Sequence, residues 1–338
     1  MTGLPEALAG VILVALNAYV LLGGADFGGG VWDLLARGPR GADQRHVIAE
    51  AIGPVWEANH VWLILAVVLL FTCFPPVYAE LGIRLHVPLA LALVGIVLRG
   101  SAFAFRTYGG QRDETQRRWG RVFAVASLLT PLVLGMAVGA IAAGGVSTPP
   151  GPGATFFEGY VLPWLAPFTA AVGVFTVTCF AFLAAVYLTL ESEAPQLRED
   201  FRLRGLAAGV AVIVMGLAAL ALSRGNDRLQ RGLLGAPWAA PLHLLTGAAA
   251  VTALGALATR RWRLARVAAA SEVSLILWGW ALAQYPYLIP PALTIDGAAA
   301  PPVTLKLAAG ALVLGAVILF PSLRYLLRVF KAGRAALG

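Results

Sequence analysis

Residues 7–33 read ALAGVILVALNAYVLLGGADFGGGVWD. As a helix rising 1.5 Å per residue, this stretch extends about 40 Å, against a bilayer hydrocarbon core of about 30 Å. The interior of the run carries one carboxylate, Asp26, set between glycines at 23, 24, 28, 29 and 30. So long an apolar run with so little charge signals a membrane-spanning helix. The same pattern is expected eight more times, at 49–74, 83–105, 121–144, 159–190, 205–223, 239–258, 265–284 and 303–330. Composition agrees. The chain has 338 residues, 59% hydrophobic and only 12% charged, and a mean hydropathy of +0.80. Soluble domains average about 45–50% apolar and about 25% charged. A soluble enzyme, a disordered tail and a disulfide scaffold are excluded, because none could present this surface to water.

His86 and Pro88 interrupt the third span near its start, and the sixth span is short and Ala-rich. The Pro/Gly stretch 145–153 and the Pro-rich 286–302 read as loops, neither large enough for a soluble domain. No basic residue precedes Arg37, so the first apolar run is expected to be retained and not cleaved as a signal peptide. Cys73 and Cys179 lie apart in apolar runs, with no redox or metal spacing.

Lys and Arg placement orients the chain. With the N-terminus outside and the C-terminus in the cytoplasm, about 19 of the 25 Lys and Arg fall on the inner side. Arg84, Arg224, Arg228 and Arg231 fall outside, while Arg99 and Lys306 fall within spans. The net charge of +8 is therefore an inner-face excess spread along a membrane. It is not a nucleic-acid groove. The outer arginines at 224–231 are the one departure from the rule.

Charges within spans are costly, about 2.5–3.5 kcal/mol each on insertion scales, and mark pairing or function. Asp26, Glu57 and Arg99 are expected at similar depths of about 10–12 Å from the inner ends of the first three spans. Glu272 enters the eighth span slightly shallower. Tyr19, Gly23, Asp26, Gly30 and Asp33 share one helical face, as do Glu50, Gly53, Glu57, His60 and Ile64 on the second span. The two polar faces are expected to meet. Arg99 either pairs with Asp26 or Glu57 and locks three helices, or stands beside a proton pathway open to the cytoplasm. The two readings are compatible, since one base cannot neutralise two acids. Glu272 is read with Arg99 as part of structural ion pairing.

The Glu57-x-x-His60 spacing is a di-iron motif only when two copies face one another, and one copy is present. No metal site is expected. With one deeply placed histidine and three methionines, the chain is too poor in axial ligands to hold several haems. Tryptophans gather near span ends as an interfacial belt. Tyr285-Pro286-Tyr287-Leu288-Ile289-Pro290-Pro291 reads as a rigid outer cap.

Four stretches together resemble subunit II of the cytochrome bd-type quinol oxidases: GGADFGGG at 23–30, GPVWEANHVWL at 53–63, LRGSAFAFR at 98–106 and QYPYLIPP at 284–291. The resemblance covers the whole layout, and the 23–63 block is its most specific part. It implies an all-α polytopic membrane protein of nine helices. Two four-helix bundles, 1–144 and 159–284, are followed by a peripheral helix at 303–330. It implies a multi-pass protein of the bacterial plasma membrane. The complex would oxidise quinol and reduce dioxygen to water, with haem b and haem d on subunit I and no catalytic residue on this chain. Small single-helix subunits and a bound quinone are compatible with it. Residue by residue, Asp26 matches a buried acid, and Glu57 the acid of the family's W-[DE]-x-N motif, supported by Trp56 and Asn59. Arg99 matches an arginine of the third helix. Many relatives carry Asp where this chain has Glu57, and Gln or Glu where it has His60. His60 would add a titratable member to the proton pathway. The rival reading is a proton-coupled secondary transporter, which calls for matching broken helices in two repeats. The fifth span offers no counterpart to the GGADFGGG run.

Overall fold

The computed structural model describes residues 3–52, 56–108, 113–147 and 149–335, with side chains not described at 56–58, 107–108, 113–115, 320, 323–324 and 326–335. In chain order the helices are α1 (Leu4–Leu35), α2 (Gly41–Ile52), α3 (Trp56–Cys73), α4 (Pro75–Arg84), α5 (His86–Tyr108), α6 (Asp113–Ala142) and α7 (Phe156–Tyr160). They continue with α8 (Pro167–Glu191), α9 (Pro195–Leu222), α10 (Asp227–Gln230), α11 (Ala239–Ala258), α12 (Trp262–Gln284) and α13 (Pro302–Ala335). A two-strand antiparallel hairpin, β1 (Tyr287–Ile289) and β2 (Leu293–Thr294), precedes α13.

Among the described residues, eight helices are long and apolar enough to cross a membrane. A ninth crossing is counted when α3 is taken together with α4, which turns away from it by 115°. Of the expected second span, 49–74, residues 49–52 lie in α2 and 56–73 in α3, and 53–55 lie outside the described residues. His86 and Pro88 do not interrupt the third span; they begin it. A proline in the first turn costs no intrahelical hydrogen bond, because those amides have no partner inside the helix. The fifth span begins at Pro167 and not at 159, since Pro163 and Pro167 confine the preceding chain to a short helix and a 3₁₀ turn. The short sixth span is the tail of a 28-residue helix whose polar first turns extend from Pro195. The span at 239–258 falls where the sequence put it.

The surface inverts that of a soluble protein. Leu93, Val97, Leu244, Val251 and Leu307 are exposed along the flanks of α5, α11 and α13, as lipid contact requires. α1 packs against α3, α6 and α8; α5 against α6; α8 against α6, α9 and α12; and α11 against α9 and α12. One buried core joins Phe27, Ile48 and Phe123 to the 179–188 stretch of α8, with Phe201 and Leu257. A second joins Leu8, Ile12, Phe74, Val77, Met136 and Trp164 to Ile289 of the hairpin.

The hairpin cap is anchored by main-chain and hydroxyl contacts. The Ser147 hydroxyl donates to the Pro290 carbonyl at 2.6 Å, and the Ala300 amide to the Cys73 carbonyl at 2.8 Å. The arginine-bearing loop at 224–231, expected outside, packs against this hairpin. Arg228 lies over the Tyr287 ring at 4.3 Å, so this departure from the charge rule docks on the cap. At the start of α7, Thr155 and Glu158 form a reciprocal capping box. Hydrogen bonds from the Thr155 amide and hydroxyl hold the Glu158 carboxyl below its usual range. A lowered carboxylate stabilises the fold above its unfolded pKa, and that contribution is lost as pH falls through the folded value. Amide exchange at Phe157–Tyr160 is therefore expected to quicken selectively on acidification below the usual Glu range. Equal protection at neutral and acid pH would contradict this.

Candidate functional site: a buried charge cluster among four helices

The cluster is built on close helix approach. An added Cβ at Gly28 would lie 1.9 Å from the Phe180 carbonyl oxygen of α8, and one at Gly30 would lie 2.2 Å from Ser127 of α6. Only glycine lets α1 come this near to both neighbours. The glycine run thus places Asp26 and Phe27 at the meeting of α1, α3, α5 and α6.

Asp26 is 7% exposed, and its carboxylate accepts a hydrogen bond from the Asn59 amide of α3. Tyr19, two turns earlier on the same face, is buried beside it. His60, next to Asn59, sits with its ring 5.9 Å from that of Tyr19 and 6.4 Å from that of Phe27. Of the two polar faces, Tyr19 and His60 come together as the sequence predicts, while Asn59, which reaches Asp26, stands off the expected face.

Arg99 is 1% exposed. Its guanidinium lies 4.8 Å from the Phe27 ring centre and 5.2 Å from that of Phe123. Its Nε donates to the Ser127 hydroxyl at 3.2 Å. Cation–π contact is worth about 2 kcal/mol or more when desolvated, which offsets part of the cost of a buried ion. Asp26 acts on Arg99 through space. No direct ion pair joins Arg99 to a carboxylate among the described residues; two aromatic faces and a hydroxyl take that place. Gly30 makes room for Ser127, and Ser127 in turn holds Arg99.

Glu272 is buried on α12, away from this cluster, within electrostatic reach of Cys179 on α8. It too has no ion-pair partner among the described residues. Trp56 and Glu57 belong to α3 by main chain, but their side chains lie outside the described residues.

Two ionic groups escaped the sequence analysis. Arg106 reaches Asp33 at 2.9 Å, closing α5 against the end of α1. The polar start of α9 meets α2. Arg40 donates to both oxygens of Asp200 at 2.8 and 2.6 Å, Gln44 donates to Asp200 at 2.8 Å, and Arg204 donates to Gln44 at 2.7 Å. Asp200 raises the already high Arg40 pKa through those hydrogen bonds and its charge. The Arg40–Asp200 pair is partly exposed, so Arg40→Ala is expected to lower the melting temperature slightly at low ionic strength. The difference should vanish near ~1 M salt, where charges are screened within about 3 Å. A salt-independent loss would contradict a screened surface pair.

Among the described residues, no group of three His, Cys, Asp or Glu side chains gathers as a metal-ligand set. Nor do they fit haem. The His60 ring packs beside two aromatic rings, and Cys73 and Cys179 lie in separate cores.

Apolar flanks enclosing a carboxylate, a guanidinium and an imidazole where four helices meet define a polytopic membrane protein with an intramembrane charge cluster. The chain belongs to the cytochrome bd terminal oxidase subunit II family, whose model matches residues 4–330. Cytochrome bd-I ubiquinol oxidase subunit 2 of Escherichia coli (strain K12) is 28% identical over 222 residues, 65% of this chain and 56% of that one. Cytochrome bd ubiquinol oxidase subunit 2 of Bacillus subtilis (strain 168) is 32% identical over 128 residues, 37% of this chain and 36% of that one. The matched stretches thus span about a third to a little over half of these relatives' lengths. A chain in the structure of the bd oxidase from Geobacillus thermodenitrificans is 25% identical, with a TM-score of 0.75, covering 98% of this chain and 99% of that one. The family resemblance is borne out, and the transporter reading is not favoured.

Proposed function

We propose that this chain is the haem-free membrane partner of a haem-bearing subunit I in a bd-type quinol oxidase, and that it helps carry protons from the cytoplasm. Family membership supports the first part. The observation that carries the second is Asp26, enclosed in the membrane interior with Asn59 as hydrogen-bond donor and a fixed positive charge close by.

On this reading, quinol oxidation and reduction of dioxygen to water take place on subunit I, which holds haem b and haem d. This chain contributes proton carriers. A proton entering from the cytoplasm protonates Glu57 or Asp26, and His60, next to Asn59 and against the Tyr19 ring, is the third carrier. Arg99 is not one of the carriers. It acts as a standing charge that favours the ionised carboxylate between transfers. Asn59 orients the Asp26 carboxylate, and Glu272 is a separate buried acid of the second half. The chain sits in the bacterial plasma membrane with its N-terminus outside and its C-terminus in the cytoplasm. The first four spans form one bundle and the next four a second, with α13 peripheral. The α1–α8 and α6–α8 contacts join the two. Small single-helix subunits and a structural quinone complete the expected partners.

The test is made on the purified complex and on this chain expressed alone. Pyridine haemochrome assay should find haem in the complex and none on the isolated chain; stoichiometric haem on the latter would overturn the assignment. Glu57→Gln should slow oxygen consumption in a complex of unchanged haem content. Unchanged turnover would remove Glu57 from the pathway.

A further inference from the structure

Away from the charge cluster, α8, α11 and α12 enclose an open groove of about 730 Å³. Its walls are Leu245 and Ala249 of α11, and Val267, Ala270, Ser271 and Leu275 of α12. At one end stands Arg266, whose guanidinium lies 4.9 Å from the Tyr187 ring centre of α8. Arg266 is exposed, and no described carboxylate forms an ion pair with it. It lies one helical turn after Trp262, the first residue of α12, and so about 6 Å from the helix end. Leu275 and Leu245 both lie about 20 Å from the corresponding helix ends. The groove therefore runs inward along both helices from the level of Arg266. Its charged end is at headgroup depth, and the rest is apolar with two serine hydroxyls.

We propose that this groove binds an anionic phospholipid, its phosphate on Arg266 and one acyl chain between α11 and α12. Charge complementarity selects this occupant. A cation without an acid partner at the membrane interface, at the mouth of an intramembrane apolar groove, matches a molecule with a negative head and a hydrocarbon tail. The Tyr187 ring packs against the Arg266 guanidinium, which is otherwise exposed. Arg261 and Arg263 are exposed at the same helix end but do not line the groove.

The test uses the whole oxidase complex, delipidated in detergent and supplied with phosphatidylglycerol or phosphatidylcholine. Retained lipid is counted after gel filtration, and melting temperature is read in parallel. Wild type should retain phosphatidylglycerol in preference to phosphatidylcholine and melt higher with it. Arg266→Gln, an exposed position, should reduce phosphatidylglycerol binding about fivefold, the contribution of one interfacial arginine. Ala270→Leu, which fills the groove, should reduce retention of both lipids. Arg263→Gln should leave the preference intact. Equal retention of the two lipids by wild type would overturn the proposal. So would equal losses in Arg263→Gln and Arg266→Gln, or a stoichiometric single-helix protein in place of the lipid.

Discussion

A Gly28→Ala chain should fail to assemble into a stable complex. The added Cβ would stand 1.9 Å from the Phe180 carbonyl oxygen and 2.8 Å from the Ala184 methyl group. A flexible side chain could swing aside, but a helix carbonyl cannot move without parting α1 from α8. Overpacking a core ordinarily costs about 1–3 kcal/mol. Here the clash is with backbone at the most glycine-rich crossing, and separation would also disturb Asp26 and Phe27 two residues and one residue away. The expected result is little complex recovered from membranes, and a melting temperature well below wild type in what is recovered. Gly10→Ala is the control, because nothing stands within 4 Å of its added Cβ and Ala favours a helix by about 1 kcal/mol over Gly. Equal yields and melting temperatures for the two variants would refute the close-approach account.

Asp26→Asn should leave the fold in place and remove most of the turnover. Asparagine has the same shape and keeps an oxygen able to accept from Asn59, so the α1–α3 contact survives. What is lost is the ability to take up and release a proton. A positioned proton-transfer group contributes about 10²-fold or more, so oxygen consumption with quinol should fall on the order of a hundredfold. Haem content and spectrum should be unchanged. If turnover persists at the wild-type rate in an intact complex, Asp26 is only a structural anchor. Asp26→Glu offers a second measure, since it restores titration on a longer arm; partial recovery would separate proton transfer from shape.

Much of this was legible in the sequence, for definable reasons. Intramembrane charge is so costly that Asp26 and Arg99 stand out in any apolar run, and helical periodicity put Tyr19 and His60 on faces that meet. The 239–258 span was read to the residue, because tryptophan and arginines bound it on either side. The partner of Arg99 was not legible. Phe27 and Phe123 are ordinary apolar residues in a one-letter string, and only three-dimensional packing turns them into a cation-binding pair. Arg40 and Asp200 are 160 positions apart, and both read as solvated charge near loops. Their meeting depends on α9 starting ten residues before its apolar stretch. The α3–α4 bend was missed because the second span was read as ending at 74, and the helix Pro75–Arg84 that turns away after it is too short to stand out as a span.

α13 carries a mechanical consequence. Its contacts with the body are with α3 and α1, Leu305 is buried near its first turn, and Leu307, Val313 and Val317 are 69%, 68% and 67% exposed. Leu305, Ala308, Ala309 and Leu312 pack against the second core, and the described residues between them face outward. One narrow stripe thus fixes it to the body, and the broad outward side is left to whatever surrounds the chain. The last helix is thus the part of the molecule whose position reports on the company it keeps.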